Sequence, residues 1–332
     1  MLRQTWDLLH FKAREKKRRR KPVLRWVVAI LLLAGAFLIV KQLLFLTPYF
    51  ADRTKMFREV TRQLSSVPDK APVLERKNQY QRVINNLLRV LERNPLHEQA
   101  CLLLGKAYWL RAGIEEDAAY RAVLVSKGIQ YMRKGFALSP QSRFGEGHFI
   151  LGELYFERGP DWYFEALTEY RQAKRLRFHG PEMAQKMARI LLVKGEYGQA
   201  FKAWQSILAA GKTPEAWASA GTAAYFLGRT DQAEQYLNFA IEMYREAGSE
   251  ELDPKFLVLS YYYLGRMYFD KKIYDVAEGH YRRALQLAPE DLQVLTASAD
   301  LYREIRNTSG LRDMESRIKK LTAPAIPAGK KK

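Results

Sequence analysis

The chain has 332 residues, 48% of them hydrophobic, enough for a continuous core, and carries a net charge of +19. Its single cysteine, Cys101, excludes a disulfide framework and a thiolate metal site. The excess charge sits largely at the ends: residues 1–25 hold ten Lys or Arg against Asp7 and Glu15, and the chain closes on Lys330, Lys331 and Lys332.

Residues 1–25 are polar and contain the block KKRRRK, Lys16–Lys21, which in isolation would suit nucleic acid. An uncharged apolar run follows it, Trp26–Val40, extended beyond Lys41 by Leu43–Leu46. The twenty-one residues from Trp26 to Leu46 make a helix of about 31 Å, close to the thickness of a bilayer's hydrocarbon core. Residues 26–46 are therefore read as one transmembrane helix, with Lys41 near its end able to snorkel and the basic block as its topogenic flank. A cleaved signal peptide would be shorter and followed by small residues, whereas here LTPYF follows. Nine Lys or Arg between Lys12 and Arg25 face Lys41, Arg53, Lys55 and Arg58 on the other side. That asymmetry puts residues 1–25 in the cytoplasm and the rest across a bacterial inner membrane, periplasmic or otherwise extracytoplasmic.

Residues 47–97 read as membrane-proximal capping helices, amphipathic over 49–64 and again over 77–93, where Leu87, Val90 and Pro95 fit the second half of a divergent repeat. From residue 98 a pattern recurs that is clearest over Val258–Asp291. There Tyr261, Leu264, Gly265 and Tyr268 share one face of a first helix, Ala277, Tyr281 and Ala284 one face of a second, and Pro289 closes the unit. Small residues stand where two helix backbones approach, and aromatics where a neighbouring hairpin is filled. The same spacing gives Leu104, Gly105 and Tyr108 in Glu98–Gln141, and Leu151, Gly152, Tyr155, Ala166 and Tyr170 in Gly145–Gly180. It gives Gly195, Ala200 and Trp204 in Pro181–Thr213, and Trp217, Gly221, Ala233, Leu237 and Ala240 in Pro214–Tyr244. The insertion Gly113–Lys127 is expected to lengthen a second helix.

This pattern resembles the tetratricopeptide repeat (TPR). The resemblance implies an all-α solenoid of about five recognisable hairpins with divergent capping helices, preceded here by the transmembrane helix. Repeats are expected over 98–244, a hinge in the acidic run 245–257, a last repeat and C-terminal cap over 258–321, and a disordered basic tail over 322–332.

The five histidines are scattered, with none at metal-ligand spacing. No strand precedes a glycine-rich phosphate loop, and nucleophile-elbow, kinase and zinc-protease signatures are missing. No catalytic residue, metal, cofactor, small-molecule substrate or nucleic acid is expected, and the chain reads as non-enzymatic. What the resemblance implies is a protein or peptide partner on the concave face of the first helices. The fifth, ninth and twelfth positions of each repeat would line it: Leu102, Lys106 and Trp109; Phe149 and Phe156; Arg189; Tyr225; and Tyr262, Arg266 and Phe269. The two-carboxylate clamp of the family's chaperone-tail receptors is disfavoured, since no ninth position is Asn and no fifth is Lys. The expected function is a membrane-anchored scaffold that assembles an envelope complex of the secretion, envelope-biogenesis or periplasmic-flagellar-collar type. The alternatives are a chaperone-like receptor for translocating or unfolded clients, or a cytosol-facing receptor of reversed topology.

Overall fold

The computed structural model describes residues 35, 55–68, 70–180, 182–247 and 253–323. Apart from Gly35, the basic segment 1–25 and the expected transmembrane helix 26–46 lie outside the described residues, as do 324–332 of the tail. Among the described residues no helix is long and apolar enough to cross a membrane, and there is no strand. They fall into two compact units, divided between Ser142 and Arg143.

The first unit contains α1 (residues 55–65), α2 (Val73–Arg93), α3 (Glu98–Ala112) and α4 (Ala118–Leu138). Val83, Ile84, Leu87, Val90 and Leu91 recur every three or four residues along α2 and are buried, the stripe that an amphipathic helix needs. Val60 and Leu64 of α1 are buried as well, and Asn86 Nδ2 of α2 donates to Gln63 Oε1 of α1 at 3.2 Å. Asp117 starts α4 by accepting from the amides of Ala119 and Tyr120 at 2.8 and 3.0 Å. The insertion is thus a short turn followed by a helix of 21 residues. Glu115 locks the turn: it is buried, 3.0 Å from Lys77 Nζ and 2.6 Å from Arg111 Nη1. The hydrogen bond from Lys77, with Arg111 beside it, outweighs burial and holds the Glu115 carboxyl at about 2.

The second unit is a row of five hairpins: α5 (Gly145–Arg158) with α6 (Tyr163–Arg175), α7 (Met183–Val193) with α8 (Tyr197–Ala210), α9 (Pro214–Phe226) with α10 (Thr230–Ala247), α11 (Lys255–Asp270) with α12 (Tyr274–Leu287), and α13 (Leu292–Glu304) with α14 (Thr308–Thr322). In three of these pairs a glycine of the first helix faces a buried side chain of the second: Gly152 faces Tyr170, Gly221 faces Leu237 and Gly265 faces Tyr281. A Cβ on Gly221 would stand 2.7 Å from Leu237 Cγ, and one on Gly265 would meet the ring of Tyr281. The turn after α7, α9, α11 and α13 contains a residue in the left-handed region: Gly195 (φ 76°), Gly228 (φ 70°), Lys272 (φ 60°) and Arg306 (φ 56°).

Two expected boundaries, the hinge over 245–257 and the cap after the last repeat, fall within this row. The units do not divide at 245–257: α9 and α10 both pack on α11, and Tyr268 of α11 donates to Glu234 of α10 at 2.6 Å. Neighbouring hairpins share apolar surface whatever the composition of the loop joining them, of which residues 248–252 lie outside the described residues. Residues 292–321 do not lose the small positions either. Ser298 and Ala299 are buried, and a Cβ on Gly310 would stand 2.9 Å from the Tyr302 ring. The α13–α14 pair is a further hairpin of the row.

Candidate partner-binding face

The first helices of the second unit lie side by side, and the side chains expected to line a groove tie them together. On α5, Glu153 accepts from Tyr170 OH of α6 at 2.7 Å and pairs with Lys186 of α7 at 2.6 Å. The Lys186 ammonium also lies 5.7 Å from the centre of the Phe156 ring. Arg189 of α7 pairs with Glu215 of α9, a hydrogen bond that raises the pKa of the guanidinium further. Tyr225 OH of α9 donates to Asp270 Oδ2 of α11 at 2.7 Å. Burial, and then that bond, push the Tyr225 phenol up. Along this face most of the charge is spent on neighbours within the unit.

Arg266 is different. It is half-buried, lies 5.9 Å from the centre of the Phe269 ring and donates a hydrogen bond to the Tyr225 oxygen, but forms no ion pair among the described residues. Beside it runs a chain of rings: Tyr197 stacks on Phe226 at 4.3 Å, Phe226 meets Tyr263 at 5.7 Å, and Tyr263 meets Tyr225 at 5.4 Å and Tyr262 at 4.9 Å. Between α11 and α13 this surface opens into a cleft of about 440 Å³, lined by Tyr262 and Arg266 on one side and Thr296, Ala297 and Asp300 on the other. Asp300 is paired with Arg303 at 2.7 Å.

Of the residues expected to meet a partner, Tyr225, Tyr262, Arg266 and Phe269 come together here, all half-buried. Phe156 and Arg189 stand further along the same face, both engaged. Leu102 and Phe149 are instead buried in the core, 5% and 3% exposed. Leu102 fills the space above Gly135, and Phe149 the space above Gly180. Lys106 and Trp109 are half-buried on α3 of the first unit and are described with it. The sequence reading missed Thr296 and Asp300, which occupy the fifth and ninth positions when the Val258–Asp291 register is carried on to α13. His148, one of the five scattered histidines, is half-buried and lies 2.6 Å from Glu169 Oε2. Among the described residues no group of three His, Cys, Asp or Glu is placed to hold a metal ion.

Tetratricopeptide-repeat family models match residues 258–291, and 69–129 and 186–250. The chain carries tetratricopeptide repeats. The TPR match over 69–129 takes in α2 and α3, so the array begins earlier than residue 98. No curated protein matches the sequence. Among solved structures, the Cut9–Hcn1 hetero-tetramer of APC/C aligns at 18% identity over 75% of this chain and 44% of that one, with a TM-score of 0.50. The chain therefore spans less than half the length of that protein. YrrB, described as a TPR protein with an unusual peptide-binding site, aligns at 15% identity over 64% and 96% with a TM-score of 0.46. Pseudomonas aeruginosa pilF aligns at 16% over 68% and 91% with a TM-score of 0.43. At such identities the likeness is one of fold alone. TPR domains as a class bind protein or peptide partners.

Proposed function

We propose that this chain is a non-enzymatic scaffold, anchored in a bacterial inner membrane by residues 26–46 with its repeats on the extracytoplasmic side, that holds a protein partner on the first-helix face of its second unit and so stabilises an envelope complex. The observation that carries the partner reading is the cleft between α11 and α13. It combines half-buried aromatics with a guanidinium that is hydrogen-bonded to Tyr225 but forms no ion pair among the described residues, the residue types that dominate interface energetics. The uncharged run Trp26–Val40 and the basic block before it support the anchor.

The test places a photo-crosslinking side chain at Thr296, exposed on the cleft wall, in the full-length chain within native envelopes. One stoichiometric adduct, lost in Arg266→Glu, is the scaffold outcome. Many substoichiometric adducts would mark a client receptor instead, and none would remove the face from consideration. A reporter active only outside the cytoplasm, fused after Leu321, is expected to be active. Activity of a cytoplasmic reporter at that position would reverse the topology.

A further inference from the structure

Residues 55–93, which include α1 and α2, hold nine Lys or Arg against Glu59, Asp69, Glu75 and Glu92. Between the two helices opens a cleft of about 590 Å³ whose lining, among the described residues, includes no carboxylate. Arg82, Asn85, Asn86 and Arg89 contribute from α2, and Gln63 from α1. Arg82 and Arg89 are exposed and neither forms an ion pair among the described residues. They are seven positions apart, so they share one helix face at a rise of about 10 Å. Asn86 spends one amide hydrogen on Gln63, and Asn85 Oδ1 accepts from Gln81 at 3.0 Å, which leaves each asparagine amide with a hydrogen to donate. Two guanidinium forks with amides between them suit a phosphate diester carrying hydroxyl groups.

The position of the cleft along the chain identifies the source of that phosphate. Only residues 47–54 separate the apolar run 26–46 from α1, a tether that spans at most about 28 Å when fully extended. We propose that the cleft binds the headgroup of an anionic phospholipid, Arg82 and Arg89 taking phosphate oxygens and the amides of Gln63, Asn85 and Asn86 the headgroup hydroxyls. The choice of lipid over another phosphate rests on the membrane-anchor reading of 26–46. An exposed guanidinium–phosphate contact is worth about fivefold in binding, so losing both arginines weakens it about thirtyfold.

The experiment titrates the full-length protein, in an uncharged detergent, with dihexanoylphosphatidylglycerol and reads hydrogen exchange over 79–89. The expected result is saturable protection that dihexanoylphosphatidylcholine does not give, with the half-saturating concentration raised about thirtyfold in Arg82→Gln/Arg89→Gln. Arg312→Gln/Lys320→Gln on α14 serves as the control of equal charge loss and is expected to bind as the parent does. Equal protection by both lipids, or an unshifted titration in the Arg82/Arg89 variant, overturns the proposal. Stronger protection by inorganic phosphate, by polyglutamate or by RNA overturns it in favour of that ligand. Resistance of the full-length protein to alkaline extraction from vesicles reports the anchor separately, so either reading can fail while the other stands.

Discussion

Replacing Gly265 by Leu tests whether the row of hairpins is held by the close approach of α11 and α12. Even a Cβ at that position would meet Tyr281 Cε1 and Cδ1 and come within 3.1 Å of Cζ. The Tyr281 ring is 2% exposed and shares a core cluster with Val294, Ala297 and Leu301 of α13. Overpacking a filled site costs about 1–3 kcal/mol, and a side chain of four carbons against a buried ring belongs at the upper end. Leucine returns somewhat under 1 kcal/mol through its better helix propensity. The net loss is about 2 kcal/mol, which lowers Tm by about 4–8 °C for a unit of this size. Thermal unfolding followed by circular dichroism measures it. Hydrogen exchange is expected to locate the loss in α11–α14 before α5 and α6, because each hairpin contacts only its neighbours. The decisive measurement is the cycle with Tyr281→Ala. Removing the ring makes room for the leucine, so the double variant is expected to be at least about 1 kcal/mol more stable than the two single losses added together. Strict additivity, or a neutral Gly265→Leu, would refute the account of small residues as the contact points of the repeat.

The remaining predictions are smaller. Lys272→Gly relieves a left-handed backbone at φ 60° and is expected to raise stability by about 1 kcal/mol, read as a higher denaturation midpoint at unchanged slope, whereas the same change at exposed Lys202 inside α8 is expected to destabilise. Tyr170→Phe removes a fully buried hydroxyl that donates to the Glu153 carboxylate, with an expected loss of about 1.5–3 kcal/mol in the same assay. His280 stands between the rings of Tyr261 and Tyr268, where burial, and then Arg283, lower its pKa below the ordinary 6.5. The unfolded chain therefore takes up a proton at this site before the folded chain does. Stability is expected to be unaffected above pH 6.5 and to fall as the pH drops from there towards the lowered value, a slope that His280→Gln flattens.

The hairpins were legible because two backbones can approach only over a small residue. Gly105, Gly152, Gly221 and Gly265 mark those points directly in the sequence, and Met132, Tyr170, Leu237 and Tyr281 occupy them in the structure. Where alanine takes the glycine's place the signal fades. Ala299 is buried on α13, yet residues 292–321 were read as a cap, and Thr296 and Asp300 were lost to the candidate site with them. The orientation of the fifth position was legible only in part. Tyr262 is half-exposed, but Leu102 and Phe149 turn inward because Gly135 and Gly180 leave volume beneath them, a property of distant residues rather than of the position itself. The ion pair of Arg189 was out of reach for a similar reason. Its partner Glu215 lies 26 residues away on the next first helix, and no periodic pattern announces a contact between repeats.

Those contacts between repeats bear on how the two candidate surfaces of this chain differ. On the first-helix face, Lys186 and Arg189 are neutralised by Glu153 and Glu215, and the acidic Asp270 and Asp300 are engaged by Tyr225 and Arg303. What such a face presents to a partner is aromatic area with Arg266, a cation bonded to Tyr225 and without an ion pair among the described residues. Binding there draws mainly on buried apolar surface, which salt does not screen, and its salt dependence should be no steeper than one ion pair allows. The α1–α2 cleft is the converse, with Arg82 and Arg89 exposed and, among the described residues, without an ion pair or a lining carboxylate. Its attraction for an anion is almost wholly electrostatic and fades as the Debye length shrinks from about 10 Å at 0.1 M salt to about 3 Å at 1 M. Raising the salt therefore separates the two surfaces in one preparation. Protection over 79–89 is expected to disappear while the Thr296 adduct persists, and loss of the adduct at the lower salt concentrations would mean that charge, not aromatic area, holds the partner.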